Sequence, residues 1–170
     1  MKKLIKKIPK NRNSKEIMED MRYAFDVLIS QTNKLQNNKM LSITITHTRA
    51  KHEKDLRHIL TNGLFNTIHK DYKNSGEHIN YLYVIEFPEV VSKGEYLPTN
   101  IGIHTHMVVN TSLKKETIEY YINNSTEGDI YIEDITKRLD RDNYINYMIK
   151  QGKTNILTDD NYNYKIDLIC

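Results

Sequence analysis

YLYVIEFPEVVSKGEYLPTNIGIHTHMVVN, residues 81–110, is the stretch on which the fold turns. YLYVIEF (81–87) and IGIHTHMVVN (101–110) are short runs rich in β-branched and aromatic residues. The segment between them, PEVVSKGEYLPTN (88–100), holds Pro88, Gly94 and Pro98, the composition of a connection rather than of an element. Two strands joined this way are expected to lie side by side and antiparallel. Side chains alternate along a strand, so His104 and His106 share one face while Ile103, Thr105 and Met107 take the other. On the preceding strand Glu86 has the parity of Leu82 and Val84, opposite to Tyr83, Ile85 and Phe87.

The same reading extends outward. LSITITHT (41–48) alternates cleanly, with Leu41, Ile43, Ile45 and His47 on one side and Ser42, Thr44, Thr46 and Thr48 on the other, as in a half-buried strand. DIYIEDI (129–135) is a fourth strand, and KIDLI (165–169) a short edge strand. Helices are expected over residues 14–30, where Asn13 and Glu16 resemble a capping box, over 49–71 with a break at Asn62-Gly63, over 112–124 behind a Thr111 or Ser112 cap, and over 138–151, ending at Gly152. The order β-α-β-β-α-β-α describes an α+β chain with an antiparallel sheet of four to five strands. Its helices are expected mainly on one face, the ferredoxin-like, split-βαβ plan. Residues 1–40 form a basic arm, an amphipathic helix and a polar link, and residues 41–170 form the domain proper.

Composition narrows the class. The chain has 170 residues, 38% hydrophobic and 28% charged, with 3 Pro and 6 Gly, which suits a globular domain rather than a disordered one. No apolar run is long enough to span a bilayer, and MKKLIKKIPKN lacks the apolar core of a secretory signal. One cysteine, Cys170, leaves no internal disulfide, so a reducing, cytoplasmic setting is expected. Of the 25 Lys and Arg, seven fall in residues 1–15 with no acid among them, leaving 18 against all 22 acids in the rest of the chain. A basic arm on a faintly acidic body fits either a nucleic-acid tail or a solubilising terminus.

Histidines two apart on a strand need partners before they mean anything, because 7 occur in this chain. Glu86 on the adjoining strand is one such partner, and two imidazoles with a carboxylate make half a coordination shell for Mg²⁺, Mn²⁺ or Zn²⁺. Glu89 and Glu95 are alternative carboxylates. NYINYMIKQG (143–152) offers a nucleophile: on a helix Tyr147 and Lys150 share a face, with Tyr144 one turn back. A phenol can attack phosphorus when cations stabilise the developing charge.

Taken in order, LSITIT, a Glu between apolar residues, IHTHMVV and YMIKQG resemble the motifs of HUH-superfamily rolling-circle replication initiators, over roughly residues 41–152. The resemblance implies an HUH-type fold and a metal-dependent, site-specific nickase and ligase of single-stranded DNA that initiates replication of a plasmid or virus. His104, His106 and Glu86 would bind Mg²⁺ or Mn²⁺. Tyr147 would form a 5′-phosphotyrosine bond, and Lys150 would neutralise the phosphate. Single-stranded or hairpin origin DNA would be the partner. No Walker-type loop occurs, so a separate helicase and polymerase are expected. A single-tyrosine transposase, with Gln151 as third ligand, is a rival within the superfamily. A non-catalytic single-strand-binding module, stacking bases on sheet tyrosines, is a rival outside it.

Overall fold

The computed structural model describes residues 2–3, 12–34, 37–47, 53–86, 103–154, 162–165 and 167–168, with backbone alone at 2–3, 53–55, 150–154, 162–163 and 167–168. The chain is α+β. Its strands are β1 (Lys2–Lys3), β2 (Lys39–His47), β3 (Ile79–Glu86), β4 (Ile103–Thr111), β5 (Gly128–Asp134), β6 (Tyr162–Lys165) and β7 (Asp167–Leu168). The helices are α1 (Ser14–Thr32), α2 (Glu53–His58), α3 (Asn66–Tyr72), α4 (Lys115–Ser125) and α5 (Arg138–Thr154), with a π-helical segment, Ile59–Phe65, joining α2 to α3. One antiparallel sheet runs β5-β2-β4-β3-β6, and a two-stranded ladder pairs β1 with β7. The first four strands of the sheet stand in the ferredoxin-like arrangement, and β6 extends it beyond β3.

The layering differs from the expectation in one respect: helices cover both faces. Leu41, Ile43 and Ile45 of β2, with Tyr81 and Tyr83 of β3, pack beneath the α2–α3 stretch and α4. Tyr81 stacks on Phe65 with ring centroids 3.6 Å apart. On the second face Met40, Leu82, Val84 and Val108 are buried against α1 and α5. The reason is visible in β3, whose residues Ile79 through Ile85 are all buried. A strand apolar at both parities requires cover on both sides. β2 keeps its alternation from Ile43 to His47, where Thr44 and Thr46 are half-buried between buried neighbours, but at Ser42 the second face is enclosed as well.

Local rules account for most boundaries. Asn13 caps α1, its side chain accepting from Glu16 N at 3.0 Å while Glu16 Oε2 accepts from Asn13 N at 3.0 Å, a complete capping box. Asn62-Gly63 does not break the helix. The turn widens instead, with Asn66 N donating to Thr61 O, and Gly63 has no atom near the position of a side chain. Thr111 and Ser112 do not cap α4, which starts at Lys115. Their hydroxyls tie down the start of β3: Thr111 Oγ1 donates to His78 O at 2.8 Å and Ser112 Oγ accepts from His78 N at 3.1 Å. The edge strand of the main sheet is β6, which meets KIDLI only at Lys165, while Asp167–Leu168 within KIDLI forms β7 and pairs with β1; α5 runs through Gly152.

Candidate metal centre

The register of the sheet assembles the site. β4 lies between β2 and β3, with His104 opposite Glu86 on one side and Thr46 on the other, and His106 opposite Val84 and Thr44. Glu86, His104 and His106 therefore share the second face. Their ligand atoms all lie within 4.8 Å of one another, and among the described residues no other cluster of His, Cys, Asp and Glu comes together this way. His47, on the opposite face, is occupied elsewhere: its Nε2 meets Thr105 Oγ1 at 2.8 Å and its Nδ1 meets Thr126 Oγ1 at 3.2 Å.

Exposure within the cluster is graded. His106 is 3% exposed, whereas Glu86 and His104 are half-buried. His106 is enclosed because α5 lies over this end of the sheet. Met148 is fully buried against it, and Tyr144, Ile145 and Ile149 are partly so, the one-sided stripe of a helix lying on a surface. Tyr147 stands at the edge of that stripe, 40% exposed, with its ring edge-to-face against His106 at a centroid distance of 5.2 Å and an angle of 85°. One side of the cluster is closed by protein and the other stays accessible, which suits an ion that must also reach a substrate.

The donor chemistry fits a hard or borderline divalent cation. Glu86 Oε2 and His106 Nε2 are 2.7 Å apart. A carboxylate and an imidazole lone pair held at that distance repel unless a cation, either a proton or a metal ion, sits between them. His106 Nδ1 lies 3.3 Å from Thr44 Oγ1. Thr44 Oγ1 in turn lies 3.4 Å from the Tyr144 hydroxyl, which donates to Ile43 O at 3.2 Å. Burial raises the Tyr144 phenol to about 12, offset in part by the Thr44 contact.

Four of the five site residues read from the sequence, Glu86, His104, His106 and Tyr147, come together. Lys150 falls one helical turn beyond Tyr147 on α5, but its side chain lies outside the described residues, as do Gln151, Glu89 and Glu95. Sequence reading missed Thr44, whose parity in LSITIT puts it on the site face but whose partner on β4 depends on strand order. It also left Tyr144 without a role.

No family model matches this chain, and none of the curated proteins does. Among solved structures it is similar to the hypothetical protein ORF119 from Sulfolobus islandicus rod-shaped virus 1. That likeness has 20% identity and a TM-score of 0.45, and it covers 82% of this chain and 99% of that one.

Proposed function

We propose that the protein is a metal-dependent endonuclease that nicks and rejoins single-stranded DNA through a tyrosyl–phosphate bond. The observation that supports this most is the contact of Tyr147 with His106 at the edge of the Glu86–His104–His106 cluster. These residues are separated along the chain, and their order is that of the HUH initiators.

Glu86, His104 and His106 would hold a divalent ion, Mg²⁺ or Mn²⁺, which when bound polarises a phosphate oxygen and so makes phosphorus electrophilic. Tyr147 supplies the nucleophile. Its hydroxyl loses a proton as the oxygen bonds to phosphorus, and the P–O3′ bond breaks to leave a free 3′-hydroxyl and a 5′-phosphotyrosine. The aryl phosphate ester retains the energy of the broken bond, so a 3′-hydroxyl can reverse the step and rejoin the strand. Lys150 would offset phosphate charge, and the basic arm at residues 1–15 would raise the local concentration of DNA.

The non-catalytic reading needs exposed aromatics on the sheet. Tyr81 and Tyr83 are buried beneath the helices, with Tyr83 hydrogen-bonded to Thr61 at 2.9 Å, so they offer no stacking platform, and the exposed Tyr131 is a single ring on the edge strand β5. The test is incubation with 5′- and 3′-labelled single-stranded oligonucleotides in Mn²⁺. A covalent adduct on Tyr147, absent from Tyr147→Phe and from chelator-treated protein, is expected. Binding without any adduct across a broad oligonucleotide pool would return the protein to the binding-module class.

A further inference from the structure

Tyr144 is a half-buried polar group beside the cluster that the proposed chemistry leaves unused, and its hydrogen bonds have a direction. A carbonyl oxygen only accepts, so the contact with Ile43 O commits the single proton of the Tyr144 hydroxyl. Toward Thr44 the phenol oxygen can then act only as acceptor, which commits the Thr44 hydroxyl proton to it. Thr44 Oγ1 is left with lone pairs to face His106 Nδ1, so the proton in that contact belongs to the imidazole. The chain Ile43 O, Tyr144, Thr44, His106 runs one way and fixes the ring with Nδ1 protonated. Nε2 is then the nitrogen that faces Glu86 at 2.7 Å, where a proton shared with the carboxylate holds the place that a bound ion would take.

We infer that Tyr144 and Thr44 are positioning residues that keep the Nδ1 of His106 protonated, so that Nε2 is the nitrogen that releases the proton it shares with Glu86 and binds a divalent cation in its place. The inference rests on the metal reading of the Glu86–His104–His106 cluster. It also separates the two tyrosines of α5: Tyr147 is exposed and lies against the imidazole edge, on the side a substrate would reach, whereas Tyr144 is half-buried, is tied to Ile43 O and Thr44 and is no second nucleophile. At 3.2–3.4 Å each link is long for a bond between oxygens or to an imidazole nitrogen. The chain therefore acts by selecting a tautomer and a ring orientation rather than by strong bonding. Partners of this kind, one step behind a metal ligand, typically change metal affinity by about 10–100-fold when removed.

Thr44→Val keeps the shape and removes the acceptor. Tyr144→Phe removes the acceptor of the Thr44 proton, which frees that hydroxyl to donate to Nδ1 and moves the imidazole proton to Nε2, where it blocks the ion. Thr44→Ser restores the hydroxyl. Two readouts apply to the full-length protein: calorimetric titration with Mn²⁺, and ¹⁵N chemical shifts of the His106 ring in metal-free protein. The expected results are a protonated Nδ1 sheltered from exchange in wild type, about 10–100-fold weaker Mn²⁺ binding in Thr44→Val and Tyr144→Phe, and near-wild-type binding in Thr44→Ser. If wild type binds Mn²⁺ and Thr44→Val binds it equally well, the positioning role is wrong and the metal site stands. A bare Nδ1 in wild type has the same meaning and needs no variant to fold. If wild type binds no Mn²⁺, both readings fall.

Discussion

Replacing the two histidines one at a time, with and without metal, separates what each does for the fold from what it does for the ion. His106 is buried, bonded to Glu86 and in contact with Thr44 and Tyr147. His106→Ala in metal-free protein removes one partner of a partly buried carboxylate and opens a void, a loss of about 2 kcal/mol. For a domain of this size, that lowers the melting temperature by roughly 4–8 °C. His104 is half-buried, and its ring lies 6.1 Å from that of His106, so His104→Ala should cost less than about 1 kcal/mol. Mn²⁺ at a hundred times its dissociation constant should stabilise the parent by about 2.7 kcal/mol, or roughly 5–11 °C. Each variant lacks one of three ligands and should lose nearly all of that increment despite its different metal-free stability. Differential scanning fluorimetry in a chelator and in graded Mn²⁺ reads all six conditions. A His104→Ala protein that keeps the full metal shift would refute the shared site.

Three further outcomes are expected. Removing residues 1–12 should weaken single-stranded DNA binding and flatten its salt dependence, because six of the seven arm cations go with them; fluorescence anisotropy from 50 to 300 mM salt checks this, and an unchanged slope makes the arm a bystander. Gly128→Ala should destabilise by roughly 1–3 kcal/mol or more in urea denaturation, since Gly128 has φ +153° and an added Cβ would run into Thr46 O, beside the site row of β2; a neutral effect would mean that β5 is not paired as described. Burial holds the His78 imidazole below its ordinary range, with Nε2 donating to Asn38 Oδ1 at 2.7 Å. The unfolded chain therefore takes up this proton first: the contribution is complete above about pH 6.5 and is lost as pH falls through the folded value. His78→Gln should flatten the acid limb of a melting-temperature profile from pH 7 to 5, and an unaltered limb would assign it to other groups.

The strands were legible because each carries its own alternation, and β3 and β4 were legible as neighbours because a connection rich in turn residues joins them. Which strand lies on the other side of β4 is a different kind of fact. Thr44 reaches His106 across 62 positions of sequence, and nothing local to LSITIT or to IHTHMVV specifies that pairing. The second helical layer was concealed for a related reason. An apolar stripe on α1 requires burial, but either face of the sheet could supply it, and only the double-sided apolar character of YLYVIE hints that both faces are taken. Parity put His104 and His106 on one face and Glu86 opposite to Tyr83 and Ile85, but that Glu86 shares the histidines' face follows from the β3–β4 register. Burial of His106 could not be read that way, because it comes from α5, whose packing is decided by Met148 and its neighbours.

The most direct measurement is anomalous diffraction from crystals grown in Mn²⁺. The expected result is a single strong peak about 2 Å from His106 Nε2, a ring nitrogen of His104 and a carboxylate oxygen of Glu86, on the side that Tyr147 faces. Well-ordered side chains with no peak among them, or a peak held by other residues, would contradict a metal centre at this place in the sheet.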